Sequence, residues 1–218
     1  PKITKCKNMP YTKFTFKPDF ARFGIAGLTP DMKNILIKRI YDVAAITDKN
    51  IKVKFNGQPV AIKTFPQYVD MFIGGKSDTQ RVCEDATNGR WEYAVALSPT
   101  HEFQQVSYVN GIHTSKGGKH VDYILTQITR KLSAYIEKKK KVSVNANSIK
   151  EQIILFLRCD IENPAFDSQT KDYMNTPSSK FGSSCSVSEK FIEKIAKMGV
   201  MEAACAITEV KENKAATG

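Results

Sequence analysis

Between Ile153 and Lys171 the chain passes from an unbroken apolar run to a polar tip, and the rest of the sequence is organised around that passage. Ile153 to Leu157 reads as a buried strand. It leads through Asp160 and Glu162 to Asn163-Pro164, where proline restricts the residue before it and ends regular pairing. Phe166 offers a hydrophobic anchor, which leaves Asp167-Ser168-Gln169-Thr170-Lys171 at the tip. A loop fixed at its base and ending in lysine can carry one compact, three-donor charge to a phosphate held elsewhere. By spacing alone a solvated surface loop is the simpler reading.

The totals narrow the class of partner. At 218 residues, 41% apolar and 25% charged, the chain is one large globular domain or one domain with extensions, long enough for a real core. Its 33 Lys and Arg against 22 Asp and Glu leave a formal charge of +11, which favours a polyanion: nucleic acid first, an anionic membrane surface second. The five cysteines are odd in number and form no closely spaced pair, so structural zinc and a disulfide framework are poorly supported and a reducing compartment is favoured. No apolar run approaches a membrane span, and the start lacks the apolar core of a signal peptide. The opening Pro-Lys-Ile-Thr, without methionine, reads as a processed or excised fragment.

Taken in order, Phe14 and Phe16 alternate with Thr15 and Lys17 as a short strand closed by Pro18. Thr29-Pro30 opens a helix whose apolar face is Met32, Ile35, Leu36, Ile40, Val43 and Ala44. Ile51, Val53 and Phe55 precede the hairpin turn Asn56-Gly57, and Phe65 to Phe72 reads as a brief helix. Gly74-Gly75-Lys76-Ser77-Asp78 lacks the phosphate-loop spacing and reads as a turn. Trp91 to Leu97 and Gln104 to Val109 read as adjacent antiparallel strands joined by a modest loop. A long amphipathic helix carrying Val121, Ile124, Leu125, Ile128, Leu132, Tyr135 and Ile136 ends in Lys138-Lys139-Lys140-Lys141, with no acidic residue close behind. Ser186 with Glu189 makes a capping box for a last helix, weakened at Gly199. His113 and His120 have no carboxylate or cysteine at a ligand spacing, so they predict structure rather than metal or catalysis.

Several of these stretches resemble the transducer domain of type IIA DNA topoisomerases of the eukaryotic or large-virus kind. The resemblance rests on Phe16-Lys17-Pro18-Asp19, Arg39 to Ala44, Ile112 to His120, Asn163-Pro164 with Phe166 to Lys171, and Phe181-Gly182-Ser183. It covers almost the whole chain and departs most after about Val200. It implies an α+β fold like the second domain of ribosomal protein S5: a mixed sheet, helices mainly on one face, and a left-handed βαβ crossover. Element order alone already supports α+β. The domains implied are a lead-in with a first strand over 1–19, the transducer over 20–185, a helical arm over 186–210 and a flexible tail over 211–218.

In function, the resemblance implies the relay of an ATP-dependent DNA topoisomerase, the isomerase that couples ATP hydrolysis to strand passage. Lys171 would meet the γ-phosphate as the catalytic contribution of this chain, Gln169 would join it in nucleotide binding, and Lys138, Lys139, Lys140 and Lys141 would face DNA. ATP and Mg2+ would be held mainly by an upstream ATPase domain, since the asparagine, glutamate and glycine-rich lid of that module do not occur here in the required order; this chain alone is expected to be inactive. Further expected partners are the downstream DNA-cleavage core, double-stranded DNA and a second copy in a homodimer, with no membrane. The location implied is the nucleus, or host cytoplasm for a large cytoplasmic DNA virus. The main alternative is a basic nucleic-acid-binding module independent of nucleotide; a kinase-like protein of the same fold is disfavoured by the missing phosphate loop.

Overall fold

A computed structural model describes residues 4–7, 10–86 and 88–216, which fall into two compact units, 1–39 and 40–218. In the first unit, Phe14 to Lys17 do not form the predicted strand: residues 10–19 carry no regular element, and Phe14 and Phe16 are exposed. Alternation describes a face; a strand also needs a hydrogen-bonded neighbour, and none pairs here among the described residues. A short turn, Ala21–Phe23, closes on Gly24 in the left-handed region.

Helix α1, Pro30–Ile46, begins as its sequence requires: the Thr29 hydroxyl accepts the Met32 N–H at 3.2 Å, with Pro30 in the first helical position. The predicted apolar face is corrected. Met32, Ile35, Leu36 and Val43 are exposed, whereas Asp42, Ala44 and Ala45 are buried. A buried hydrogen bond from Tyr68 to Asp42 at 2.6 Å, with two small alanines beside it, selects the packed side of the last turns. Tyr68 also bonds the hydroxyl of Tyr108, and burial together with these bonds raises the Tyr68 phenol far above its usual range.

In the second unit, β1 (Lys54–Phe55) and β2 (Gln58–Pro59) form the expected hairpin across Asn56 (φ 49°) and Gly57 (φ 80°), shorter than the sequence alternation. Helix α2, Phe65–Ile73, is capped by Thr64. Arg81 then gathers the next turn. Its buried guanidinium pairs with Asp70 and donates to the carbonyls of Gly74 at 2.7 Å and Gly75 at 2.8 Å. Carbonyls face the cation, so the Gly74–Asp78 turn is no phosphate cradle, which would require converging N–H groups.

The central sheet has the order β3-β4-β8-β5-β6, from Arg81–Asp85, Trp91–Leu97, Ile153–Cys159, Gln104–Val109 and Ile112–His113. Strand β3 has no counterpart in the sequence reading. Strands β4 and β5 are not neighbours, contrary to expectation: β8 lies between them, antiparallel to β4 and parallel to β5. A strand that is apolar on both faces must have both edges paired, and the 98–103 loop arches past its start, where the Gln152 carbonyl accepts the Ser98 N–H and its side chain meets His101. The sheet is therefore mixed. Trp91, Tyr93, Val95, Leu155 and Leu157 point into the main core; Ala94, Tyr108, Ile154 and Phe156 face a smaller one with Phe65, Tyr68 and Val69.

The main core is covered by α3 (Lys119–Lys140), α4 (Ala146–Lys150), α5 (Glu189–Ile195) and the start of α6 (Met201–Ala216). Ser188, not Ser186, caps α5, accepting the Phe191 N–H at 3.0 Å. Glu84 of β3 receives both the Ser188 N–H and the Tyr93 hydroxyl, which fastens the start of α5 to the sheet. A wide turn at Ala196–Val200, with Gly199 at φ 117°, separates α5 from α6. Helix α6 continues through Ala216, and the last two residues of the tail expected over 211–218 lie outside the described residues. No described helix is long and apolar enough to cross a membrane.

Two further strands join distant parts of the chain. Gly117–Gly118 (β7) pairs parallel with Tyr173–Met174 (β9) immediately before α3. At Gly118, φ is 147° and an added Cβ would lie 2.4 Å from the Met174 carbonyl oxygen. We expect Gly118→Ala to destabilise the domain by about 3 kcal/mol or more, through backbone strain plus a clash that backbone cannot relieve. Denaturant unfolding measures it, and a change under 1 kcal/mol, roughly the scale of an ordinary surface substitution, would contradict this account.

Candidate functional site

The loop after β8 is built on main-chain bonds. The Asn110 amide brackets Ile161, accepting its N–H at 2.8 Å and donating to its carbonyl at 2.9 Å. Beyond Asn163, left-handed at φ 45°, the chain doubles back on itself. Ala165 donates to Thr176 Oγ1 at 2.7 Å and accepts from Asn175, Phe166 bridges Met174, and Asp167 N–H reaches the Tyr173 carbonyl. Phe166 is half-buried against the main core, so it anchors the loop as its position predicts.

At the tip, Lys171 N–H closes a turn on the Ser168 carbonyl at 3.1 Å, and the Ser168 and Thr170 hydroxyls are 2.9 Å apart. Gln169 and Lys171 are exposed. Lys171 adopts φ 60°, a left-handed conformation unfavourable for a residue with a side chain, and its ammonium lies 5.8 Å above the Phe166 ring centroid. The loop thus has a hydrogen-bonded stem and presents one exposed amide and one exposed cation.

The structure brings this tip to the glycine segment, which is remote from it in sequence. Lys116 N–H donates to the Asp172 carbonyl at 2.9 Å, and Ser115 Oγ donates to the Asp172 carboxylate at 2.9 Å. Hydrogen bonds from Thr170 and Ser115, with the nearby Lys116 charge, hold the Asp172 carboxyl below its usual range. Spacing cannot reveal a join between segments so far apart. The local signal is Gly117-Gly118, since paired glycines permit close backbone approach.

At the far end of α3, Lys138, Lys139, Lys140 and Lys141 are all exposed. Lys141 caps the helix at φ 60°, where a glycine would be favoured by about 1 kcal/mol. The isolation suggested by sequence is only partial: Lys139 lies within electrostatic reach of Glu193 on α5, and Lys140 of Cys205 on α6. A second basic surface has no signature in the sequence. Lys76, Arg81, Lys194 and Lys197 line an open cleft of about 380 Å³ along the β3 edge, drawn from widely separated segments. Lys197 is paired there with Glu193 at 2.7 Å.

The histidines take structural places. The His113 ring packs on Tyr108 at 5.3 Å, while His120 is fully buried in the first turn of α3, with Nε2 3.1 Å from Thr114 Oγ1. Among the described residues no three His, Cys, Asp or Glu side chains gather as metal ligands. Gln169 and Lys171 offer an amide and an ammonium, both hydrogen-bond donors, at the exposed tip.

Known proteins share the sequence and the fold. The DNA gyrase B family profile matches residues 64–217. DNA topoisomerase 2 of Arabidopsis thaliana is 43% identical over 98% of this chain, and that of Saccharomyces cerevisiae 39% identical over 99%. The chain spans only 15% and 16% of the length of those proteins. The crystal structure of the ATPase region of Saccharomyces cerevisiae topoisomerase II superposes with a TM-score of 0.80 at 37% identity, covering 89% of this chain and 49% of that one. The 43K ATPase domain of Thermus thermophilus gyrase B shares the fold at a TM-score of 0.61 and 18% identity, over 93% of this chain and 59% of that one.

Burial lowers the His120 pKa from the ordinary 6.5 to about 3. As pH falls below 6.5 the unfolded chain takes up a proton that the folded chain refuses, so stability is lost on acidification. From pH 7 to pH 5 the loss from this one group is about 2 kcal/mol. Denaturant unfolding across that range checks it: His120→Gln is expected to flatten the slope, and an unchanged slope would show that His120 titrates normally in the folded state.

Proposed function

Because the chain belongs to the DNA gyrase B family of type IIA topoisomerases, we propose that it is the transducer of such an enzyme, relaying the nucleotide state of a preceding ATPase domain to DNA strand passage. The observation that carries this reading is the exposed Gln169–Lys171 tip on a hydrogen-bonded stem anchored by Phe166. In the whole enzyme Lys171 docks on the γ-phosphate of ATP held next door, stabilising negative charge there, and Gln169 adds a neutral donor. When phosphate leaves, Lys171 loses its counter-charge and the arrangement of the two domains loosens. The stem joins the sheet directly, and α5 and α6 lead away from it toward the DNA-cleaving core.

Lys138 to Lys141 are proposed to meet DNA phosphates in the interior of a homodimer. Their exposure, the strained Lys141 cap and the formal charge of +11 support this part of the reading. ATP and Mg2+ are held mainly outside this chain, and the isolated chain is inactive. Its relatives from plants, yeast and animals favour a nuclear location. The second reading, a nucleic-acid module indifferent to nucleotide, is favoured by the charge alone.

Lys171→Ala in the full-length enzyme is expected to depress both steady-state ATP hydrolysis and ATP-driven relaxation of supercoiled DNA by about a hundredfold, the scale of removing one transition-state donor, and to spare ATP-independent DNA cleavage. Gln169→Ala should act in the same direction, more mildly. Wild-type rates for Lys171→Ala would detach the loop from the nucleotide cycle and leave the second reading standing.

Replacing all four of Lys138 to Lys141 by alanine is expected to weaken DNA stimulation of the ATPase and to reduce the salt slope of DNA binding. The reduction is about 0.9 for each phosphate that a lysine no longer neutralises. Titration of DNA binding at several salt concentrations reads the slope directly, and an unaltered value would return these lysines to the solvent.

A further inference from the structure

Asp172 stands where two distant segments meet. Its carboxylate accepts hydroxyl hydrogen bonds from Ser115 and from Thr170, each at 2.9 Å, and lies 3.7 Å from the Lys116 ammonium. Its carbonyl accepts the Lys116 N–H at 2.9 Å. Its covalent neighbour on one side is Lys171, and on the other side Tyr173 begins β9, paired with Gly117–Gly118 directly before α3. Among the described residues, the remaining hydrogen bonds of 167–171 stay within the tip and Tyr173: Ser168 with Asp167 and Thr170, Lys171 with Ser168, and Asp167 with Tyr173. Asp172 is therefore the attachment of the Lys171 tip to the rest of the fold on the side of α3.

We infer that Asp172 is a positioning residue that latches the Lys171 tip to Ser115–Gly118, so that displacement of the tip is passed to the start of α3 instead of being absorbed within the loop. The inference rests on the nucleotide contact proposed for Lys171. The receiving element suits the task. Gly118 approaches the Met174 backbone so closely that an added Cβ would clash, and β7 is hydrogen-bonded to β9, a join suited to passing a displacement on. Helix α3 is 22 residues long, a rod of about 33 Å that ends in Lys138 to Lys140. One end of the rod is tied to the phosphate-sensing tip, and the other carries the charges proposed to meet DNA. The latch is polar and half-exposed, with hydroxyl partners that exchange readily, as suits a contact that shifts position without unfolding its surroundings.

The test is hydrogen exchange in the full-length enzyme with and without a non-hydrolysable ATP analogue, beside the number of strand passages per ATP hydrolysed. In the wild type, the analogue is expected to slow exchange in both 166–174 and 115–121. In Asp172→Ala the slowing at 166–174 persists and that at 115–121 is abolished. Strand passages per ATP fall about tenfold, a typical allosteric coupling, while ATP hydrolysis itself stays within about twofold. Asp172→Glu, which restores the carboxylate, should recover most of the coupling. Ser115→Ala combined with Thr170→Ala removes the two hydroxyl bonds and leaves the carboxylate beside Lys116, should the Asp172→Ala variant fold poorly, and is expected to uncouple in the same direction. Undiminished protection at 115–121 in both uncoupling variants would overturn the latch. A wild type in which 166–174 responds to the analogue and 115–121 does not would also overturn it, leaving the Lys171 contact intact. Absence of any response at 166–174 would overturn that contact and the latch with it.

Discussion

Strand β8 is the member on which the other parts depend. Six of its seven residues are buried, Arg158 being half-buried, and it is paired on both edges, antiparallel to β4 through Trp91↔Cys159 to Leu97↔Ile153 and parallel to β5 through Gln104↔Ile154 to Val109↔Cys159. Alternate side chains divide between two cores, Leu155 and Leu157 toward α3 and α5, Ile154 and Phe156 toward α2. A one-residue slip would exchange the two sets, so register is strongly specified. What leaves β8 at its end is the candidate site itself, a loop rooted in a strand that is paired on both edges.

Such a root suits the role proposed for Lys171, the delivery of a charge to a defined place. A flexible lysine on a flexible loop would lose most of its attraction to ordering entropy. Here the stem is closed by bonds among Ala165, Asp167, Tyr173, Asn175 and Thr176, and Phe166 is seated in the core, so only the side chains of Gln169 and Lys171 remain to be ordered. The ammonium over the Phe166 ring is weakly held, by about 0.5–1 kcal/mol for an exposed cation–π contact, so the phosphate contact proposed for it would displace little.

Basic charge is distributed with similar economy. The formal excess of +11 does not make the whole surface a polyanion receptor, because several cations serve the fold. Arg81 holds the turn after α2, Arg158 pairs with Glu92 across β8 and β4 at 2.7 Å, and Lys131 donates to the Val187 carbonyl at 2.7 Å. Most of the surplus lies in residues 1–39, where nine Lys and Arg face two Asp; the exposed end of α3 and the cleft along β3 are further basic surfaces.

Local chemistry determined much on its own. The Thr29-Pro30 start of α1, the Asn56-Gly57 turn, the amphipathic α3 with its lysine end, the apolar β8 and the Asn163-Pro164 break with its Phe166 anchor each follow from interactions within a few residues, and each is present. Long-range pairing was not available to the same reading. Proximity in sequence favoured β4 beside β5, yet the burial of β8 on both faces drew it between them, and β3 became visible only as the neighbour of β4. The face of α1 was chosen by the buried Asp42–Tyr68 bond against the hydropathy of Met32, Ile35 and Leu36, and the Phe14–Phe16 alternation found no partner to make it a strand. Within the candidate site, the proline break and the Phe166 anchor were local signals, whereas spacing alone left the tip a solvated loop and only the resemblance singled out Gln169 and Lys171. The Asp172 contacts with Ser115 and Lys116 were decided by tertiary structure alone, because the approach of β7 to β9 depends on β8 and α3 having already brought their ends together.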